Sequence, residues 1–394
     1  MERLLQYVWK HKLYGADGLT TGDGTPLEVI DPGLANSDAG PDFFNAKIRI
    51  GKVTLAGNVE LHCRASDWFG HHHDRDKAYD SVILHVVGDS DVVVRRTTGE
   101  VIPQVVLNIP DKIRENAAWL LYRDSDIPCL SRLGEINPVA LTMWMGALQC
   151  ERLERKVEDV LALLEHYGDD WNEIFYVLVS RSFGVGVNSM AFELLAKSLP
   201  WRCILHHRHN RRQVEALLLG QAGLETGEEY RFLRHKFGLQ PVEGSLFRTL
   251  RVRPGGFPRR RIIQLASLWV KYDMLFSQFL EASSPVELAR GLQTVPPLGE
   301  VCTNSLLINA VAPILFAYGR LRGQKESADR AVELLESLPP EKNRVVQRFT
   351  EAGFRVKNAY DSQGLIQLKR EYCERRKCQF CRIGVGLMGR SQRP

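Results

Sequence analysis

The hydrophobic pattern of the chain changes period near residue 110. Upstream of it, apolar and polar positions alternate with the period of two that marks half-buried strands. Ala46-Lys47-Ile48-Arg49-Ile50 alternates apolar with basic residues, Gly51-Lys52 forms a turn, and Val53, Leu55, Val59 and Leu61 continue the alternation. Val82-Ile83-Leu84-His85-Val86-Val87 is an unbroken run that predicts a buried strand. Residues 91–96 and 101–107 predict a hairpin closed by Thr98-Gly99-Glu100. Ahead of these strands, Leu4, Leu5, Val8 and Trp9 mark one face of a helix over residues 2–13. Residues 15–41, rich in Gly, Asp, Pro and Thr, predict loop with one short strand from Pro26 to Ile30.

Downstream the period becomes helical. Residues 112–122 predict a helix, and from Asn137 onward further helices are predicted at 138–164, 171–183, 188–198, 211–221, 227–238, 262–282, 285–292, 304–321, 326–337, 341–352 and 362–372. The predicted class is α+β. A mixed sheet with flanking helices occupies residues 1–110, a linker residues 111–136, and a mostly helical domain residues 137–394, ending in a cysteine cluster.

Polar residues sit at special places on the predicted strands. Gly40-Pro41-Asp42 lies at the mouth of one strand. Glu60 and His62, two apart on the next, leave the same face, while Val59 and Leu61 leave the other. Asp42 and Glu60 are hard oxygen ligands suited to Mg²⁺ or Mn²⁺. A bound ion polarises a phosphoryl oxygen and acidifies its water, which a residue such as His62 can orient or deprotonate. The bland alternative is a turn cap at Asp42 and a solvated strand face.

Pro41-Asp42 followed by Glu60-Leu61-His62 resembles the PD-(D/E)XK motif of metal-dependent nucleases, and the predicted αβββαβ order over residues 2–90 resembles their core. The resemblance implies catalytic roles for Asp42, Glu60 and His62, and a helper role for Glu2. His62 departs from the pattern, since that superfamily usually carries Lys there. A second resemblance runs through nearly the whole chain. Gly40–Phe43, Gly57–His62, Ser66-Asp67-Trp68, Val82–Val87, Arg253–Pro258 and the C-terminal cysteines resemble a bacterial family defined only as a domain of unknown function.

Further candidates for metal or phosphate contact follow. Gly70-His71-His72-His73-Asp74-Arg75-Asp76 brings imidazoles close to a carboxylate, so His71, His73 and Asp76 are candidate ligands, as is His85 in its apolar strand. Cys373, Cys378 and Cys381 are spaced C-x4-C-x2-C, which suits zinc or an iron–sulfur cluster. The expected fourth ligand is Cys302, with Cys203 or a histidine as alternatives. Basic tracts at Arg251, Arg253, Arg259, Arg260 and Arg261, at Arg375, Arg376 and Lys377, and at residues 206–212 suit a phosphate backbone.

Composition adds little. Charged residues make up 25% and hydrophobic residues 44%, enough apolar material for real cores, and the net charge of +5 is too small to argue for nucleic acid unaided. An unbroken apolar stretch of about 18 residues, the mark of a membrane span, is not found. The N-terminus has no apolar signal region, so a cytoplasmic location is expected. These readings together predict a metal-dependent phosphodiesterase acting on nucleic acid. The alternatives are an inactive nucleic-acid-binding protein on a nuclease-like core, or a histidine-based zinc or manganese enzyme of another class.

Overall fold

The structure is a computed structural model that describes residues 1–14, 18–36, 38–273, 275–282 and 284–389. It divides into two compact units, one made of residues 1–144 with the chain from 368 onward, the other of residues 145–367. The class is α+β, as the change of period predicts.

The first unit is organised by a seven-stranded sheet. In chain order its elements are α1 (Glu2–Lys10), β1 (Leu19–Thr20), β2 (Pro26–Asp31), β3 (Leu34–Ala35), β4 (Phe43–Ile50), β5 (Val53–Arg64), α2 (Asp67–Gly70), β6 (Val82–Asp89), β7 (Gln104–Val106) and α3 (Asp111–Tyr122). The strand order is β1-β2-β4-β5-β6-β7, with β3 paired to β4. A bridge between Thr21 and Val105 brings the two ends of the sheet together. Strands up to β5 pair antiparallel, whereas β5–β6 and β6–β7 are parallel. A parallel pair needs a crossover. Here it is α2 followed by 3-10 turns at His73–Arg75 and Lys77–Ser81.

Strand β5 is buried on both faces over Val59–His62. Helix α1 covers the Val59 and Leu61 side, with Leu5 beside Gly88 of β6. The crossover covers the other side, from which Glu60, His62 and, in register opposite Glu60, His85 project. The predicted 91–107 hairpin is reduced to a single bridge, Arg95 to Val101, because Gln104–Val106 joins β6 in parallel instead.

The C-terminal helix Arg382–Met388 also belongs to this unit, not to the helical domain in which the sequence places it. It buries Ile383, Leu387 and Met388. Its backbone carbonyls accept from Tyr7 Oη (2.8 Å, at Val385) and Asn116 Nδ2 (3.0 Å, at Met388).

The second unit is helical around one large apolar core. The predicted 262–282 helix is two helices, Pro258–Trp269 and Leu275–Glu281. The predicted 304–321 helix extends over Glu300–Arg322 and widens to a π turn at Leu307–Val311, just ahead of Pro313. Proline has no N–H to give to the preceding turn, so a local widening there accommodates it. By length and composition this is the one candidate membrane span among the described residues, and 56% of its apolar window is buried. It passed unseen in the sequence because asparagines interrupt its apolar run.

Glu173 is 7% exposed in this core. Its two carboxylate oxygens accept from the Trp201 backbone N–H, at 3.1 and 2.9 Å. Burial pushes its pKa up to about 7 despite that hydrogen bond. The folded state therefore keeps a proton that the unfolded chain has lost above the ordinary carboxylate range, so stability falls as pH rises from about 4.5 to 7. Glu173→Gln is expected to leave stability nearly unchanged at pH 4 and to raise it at pH 8, by up to about 3 kcal/mol. Urea denaturation at both pH values checks this, and an equal effect at both would refute it.

Candidate metal centre

Three histidines converge where the crossover folds back over β5. His62 comes from the strand, and His71 and His73 come from the loop after α2. One ring nitrogen from each lies within 4.8 Å of the others. His72 between them adopts a left-handed conformation (φ 62°), one that histidine tolerates better than most residues. That kink turns His71 and His73 toward the same point although they flank a common residue. His62 and His73 are buried and His71 is exposed, so the group is open on one side.

Several donor spacings are close to those around a metal ion. His62 Nε2 stands 3.0 Å from His71 Nδ1. Glu60 Oε1 stands 3.7 Å from His62 Nε2 and 3.3 Å from His73 Nε2. Bonds of 2.0–2.1 Å in a tetrahedron set neighbouring donors about 3.3 Å apart.

Hydrogen bonds fix the orientation of these groups. His62 Nδ1 pairs with His85 Nε2 at 2.8 Å. With its proton on Nδ1, His62 presents a lone pair at Nε2, an assignment of tautomer drawn from the network. His85 is thereby a supporting residue behind His62, of the kind that metal-binding histidines usually have. Its own Nδ1 is buried without a partner. Burial, reinforced by the neighbouring imidazoles, lowers both His62 and His85 to about 3. Both rings are neutral at neutral pH, as a ligand and its support must be.

The carboxylates are held differently. Glu60 Oε2 accepts from the Asp42 backbone N–H at 3.0 Å, leaving Oε1 to face the histidines. Burial raises the pKa of Glu60, with His73 acting against that rise. Asp42 has both oxygens engaged, Oδ1 by Gln6 Nε2 at 2.9 Å and Oδ2 by the Leu61 N–H at 3.0 Å. It sits at the foot of the site as a brace between α1, β4 and β5, and its pKa is raised by burial. Glu2 lies near enough to feel His71 and Glu60, and burial raises its pKa too.

Two aromatics that the sequence reading did not assign wall the histidines. Trp68 is fully buried and edge-on to His62, while Tyr79 stacks on His73 with ring centres 3.7 Å apart. The Ser-Asp-Trp segment was a signal for the first; nothing in the pattern marked the second.

Other predicted residues lie elsewhere. Asp76 caps the turn after it, accepting from the Ala78 N–H at 2.9 Å. Arg253, Arg259 and Arg260 are exposed in the helical unit, Arg259 paired with Glu225 at 2.7 Å, and Arg261 bonds to Gln264. Arg375, Arg376 and Lys377 belong to the first unit, and Arg375 pairs with Glu371 at 3.1 Å. Cys302 belongs to the helical unit, where its thiol neighbours Arg261.

Fold and site define an α+β protein with a histidine group able to hold a metal ion. The chain belongs to the family described as protein of unknown function (DUF2851), whose model matches residues 2–297 and 290–344. No curated protein and no solved structure matches it. The whole-chain resemblance drawn from the sequence thus has a family match behind it, and the nuclease resemblance has none.

Proposed function

We propose that His62, His71 and His73 hold one divalent transition-metal ion and that the protein is a metal-dependent hydrolase of phosphodiesters in nucleic acid. The observation that carries this reading is the convergence of one ring nitrogen each from His62, His71 and His73 to within 4.8 Å of one another, with Glu60 Oε1 3.7 and 3.3 Å from His62 and His73. Imidazole donors suit zinc, manganese or iron better than magnesium. A bound ion would acidify its water, and Glu60, whose Oε1 faces His62 and His73, would be the residue to take the proton. Phosphodiesters are the substrate class in keeping with the net charge of +5 and the exposed arginine tracts.

The test is metal analysis combined with cleavage of plasmid DNA, RNA and a small phosphodiester. The expected result is an equivalent of zinc, manganese or iron that His73→Ala removes, with cleavage that needs the same ion. Retention of all bound metal in His73→Ala sinks the centre. Metal without cleavage of any of the three substrates sinks the hydrolase assignment.

A further inference from the structure

We propose a second metal centre in the first unit, a tetrathiolate site formed by Cys129, Cys373, Cys378 and Cys381. All four are buried, at 5–8% exposure. They come from chain segments that pack together. Cys129 lies on the 3-10 segment Pro128–Glu135, and the helix that begins directly after Cys381 packs on that segment and on α3. Cys373 ends the π turn Leu368–Cys373.

Between Cys373 and Cys381 the chain doubles back tightly. The Arg376 N–H bonds to Cys373 O (3.2 Å), Lys377 N–H to Tyr372 O (2.8 Å) and Cys381 N–H to Cys378 O (3.3 Å), with Arg376 at φ 50°. A C-x2-C turn of this kind lets two thiolates reach one metal. Gly384 shows how close the packing is, since a Cβ there would stand 2.1 Å from the Cys378 carbonyl oxygen.

Two further observations point to a bound, negatively charged group. First, the four thiols act on one another. Cys129 lies within electrostatic reach of Cys378 and Cys381, and Cys373 within reach of all three. Four buried thiols in mutual range serve no packing need that alanine or valine would not serve as well. Second, Arg376 Nη1 is buried without a hydrogen-bond partner, and its charge acts on Cys378. A lone buried guanidinium donor is costly, whereas four thiolates around a zinc ion or a [4Fe–4S] cluster carry net negative charge for it to face. The centre ties the C-terminal tail to the segment after α3. Cys129, not Cys302, completes the set.

The test uses the full chain purified without oxygen, with zinc and iron quantified and the visible spectrum recorded. Cobalt replacement of any zinc then reports thiolate ligation by charge-transfer absorption, which histidine and carboxylate ligands do not give. Iron with sulfide and a broad visible band identifies the cluster; thiolate–cobalt absorption identifies zinc. The expected result is one of these signatures, lost in Cys129→Ser and kept in Cys302→Ser. Neither signature in the wild type overturns the proposal, as does its survival in Cys129→Ser. Should Cys129→Ser fail to fold, alkylation of the wild type decides. The four thiols are expected to react only after metal removal, and equal reactivity with and without chelator overturns the site. The histidine centre is unaffected by either outcome.

Discussion

His62→Ala is expected to weaken metal binding at the histidine centre by two to three orders of magnitude and to cost stability besides. A four-ligand zinc site is worth roughly 10–16 kcal/mol, or about 2.5–4 kcal/mol for each donor. Loss of the His62 donor therefore weakens binding about 10²–10³-fold. The substitution does a second thing that the loss of exposed His71 would not. Among the described residues, the side chain of fully buried His85 hydrogen-bonds only to His62 Nδ1. Alanine at 62 leaves a buried imidazole with no partner, at about 1–3 kcal/mol. Zinc titration and denaturation of the metal-free variant separate the two effects. Zinc affinity within tenfold of the wild type would remove His62 from the ligand set, and unchanged metal-free stability would remove its structural bond.

Trp68→Ala is expected to destabilise the first unit by about 3–5 kcal/mol, the usual range for deleting a buried tryptophan side chain. The ring meets His73 and His85 at centroid distances of 5.3 and 5.2 Å and Tyr79 at 5.9 Å. Its indole N–H is buried without a partner, so the side chain contributes packing and no hydrogen bond. Trp68→Phe is thus expected to lose much less, since it keeps an aromatic edge and removes the orphan donor. Thermal denaturation of both variants checks the pair. A Trp68→Ala loss below about 1 kcal/mol, or equal losses in both, would show that the ring is not the support it is taken for.

How far these features were legible depends on whether they are local. Glu60 and His62 could be read from spacing alone, because a strand places residues two apart on one face. His85 could be suspected as a neighbour, since the buried run 82–87 had to pair somewhere, but only the parallel register sets it opposite Glu60. Asp42 could be placed near the site and not in its role. A register shift between Phe43 and Ala46, with Asn45 at φ 56°, brings its carboxylate to the Leu61 N–H, and no pattern of side chains announces a bulge. Cys129 was illegible for another reason. As the proposed fourth thiolate it lies on an irregular segment far in sequence from the C-terminal cysteines, whereas Cys302 lies on an evident helix. The helical class of the second unit was readable from periodicity, whereas its interruptions follow from tertiary packing and from Pro313.

The left-handed backbone at His72 gives the three consecutive histidines unequal tolerance of substitution. In the proposed metal centre, positions 71 and 73 supply electron pairs, whereas position 72 is constrained by a torsion angle. Asparagine or glycine satisfies that angle as well as histidine does, while valine or isoleucine does not. In the proposed centre, His72→Asn and His72→Gly are therefore expected to leave metal binding unchanged, whereas His72→Val is expected to disturb it through the backbone.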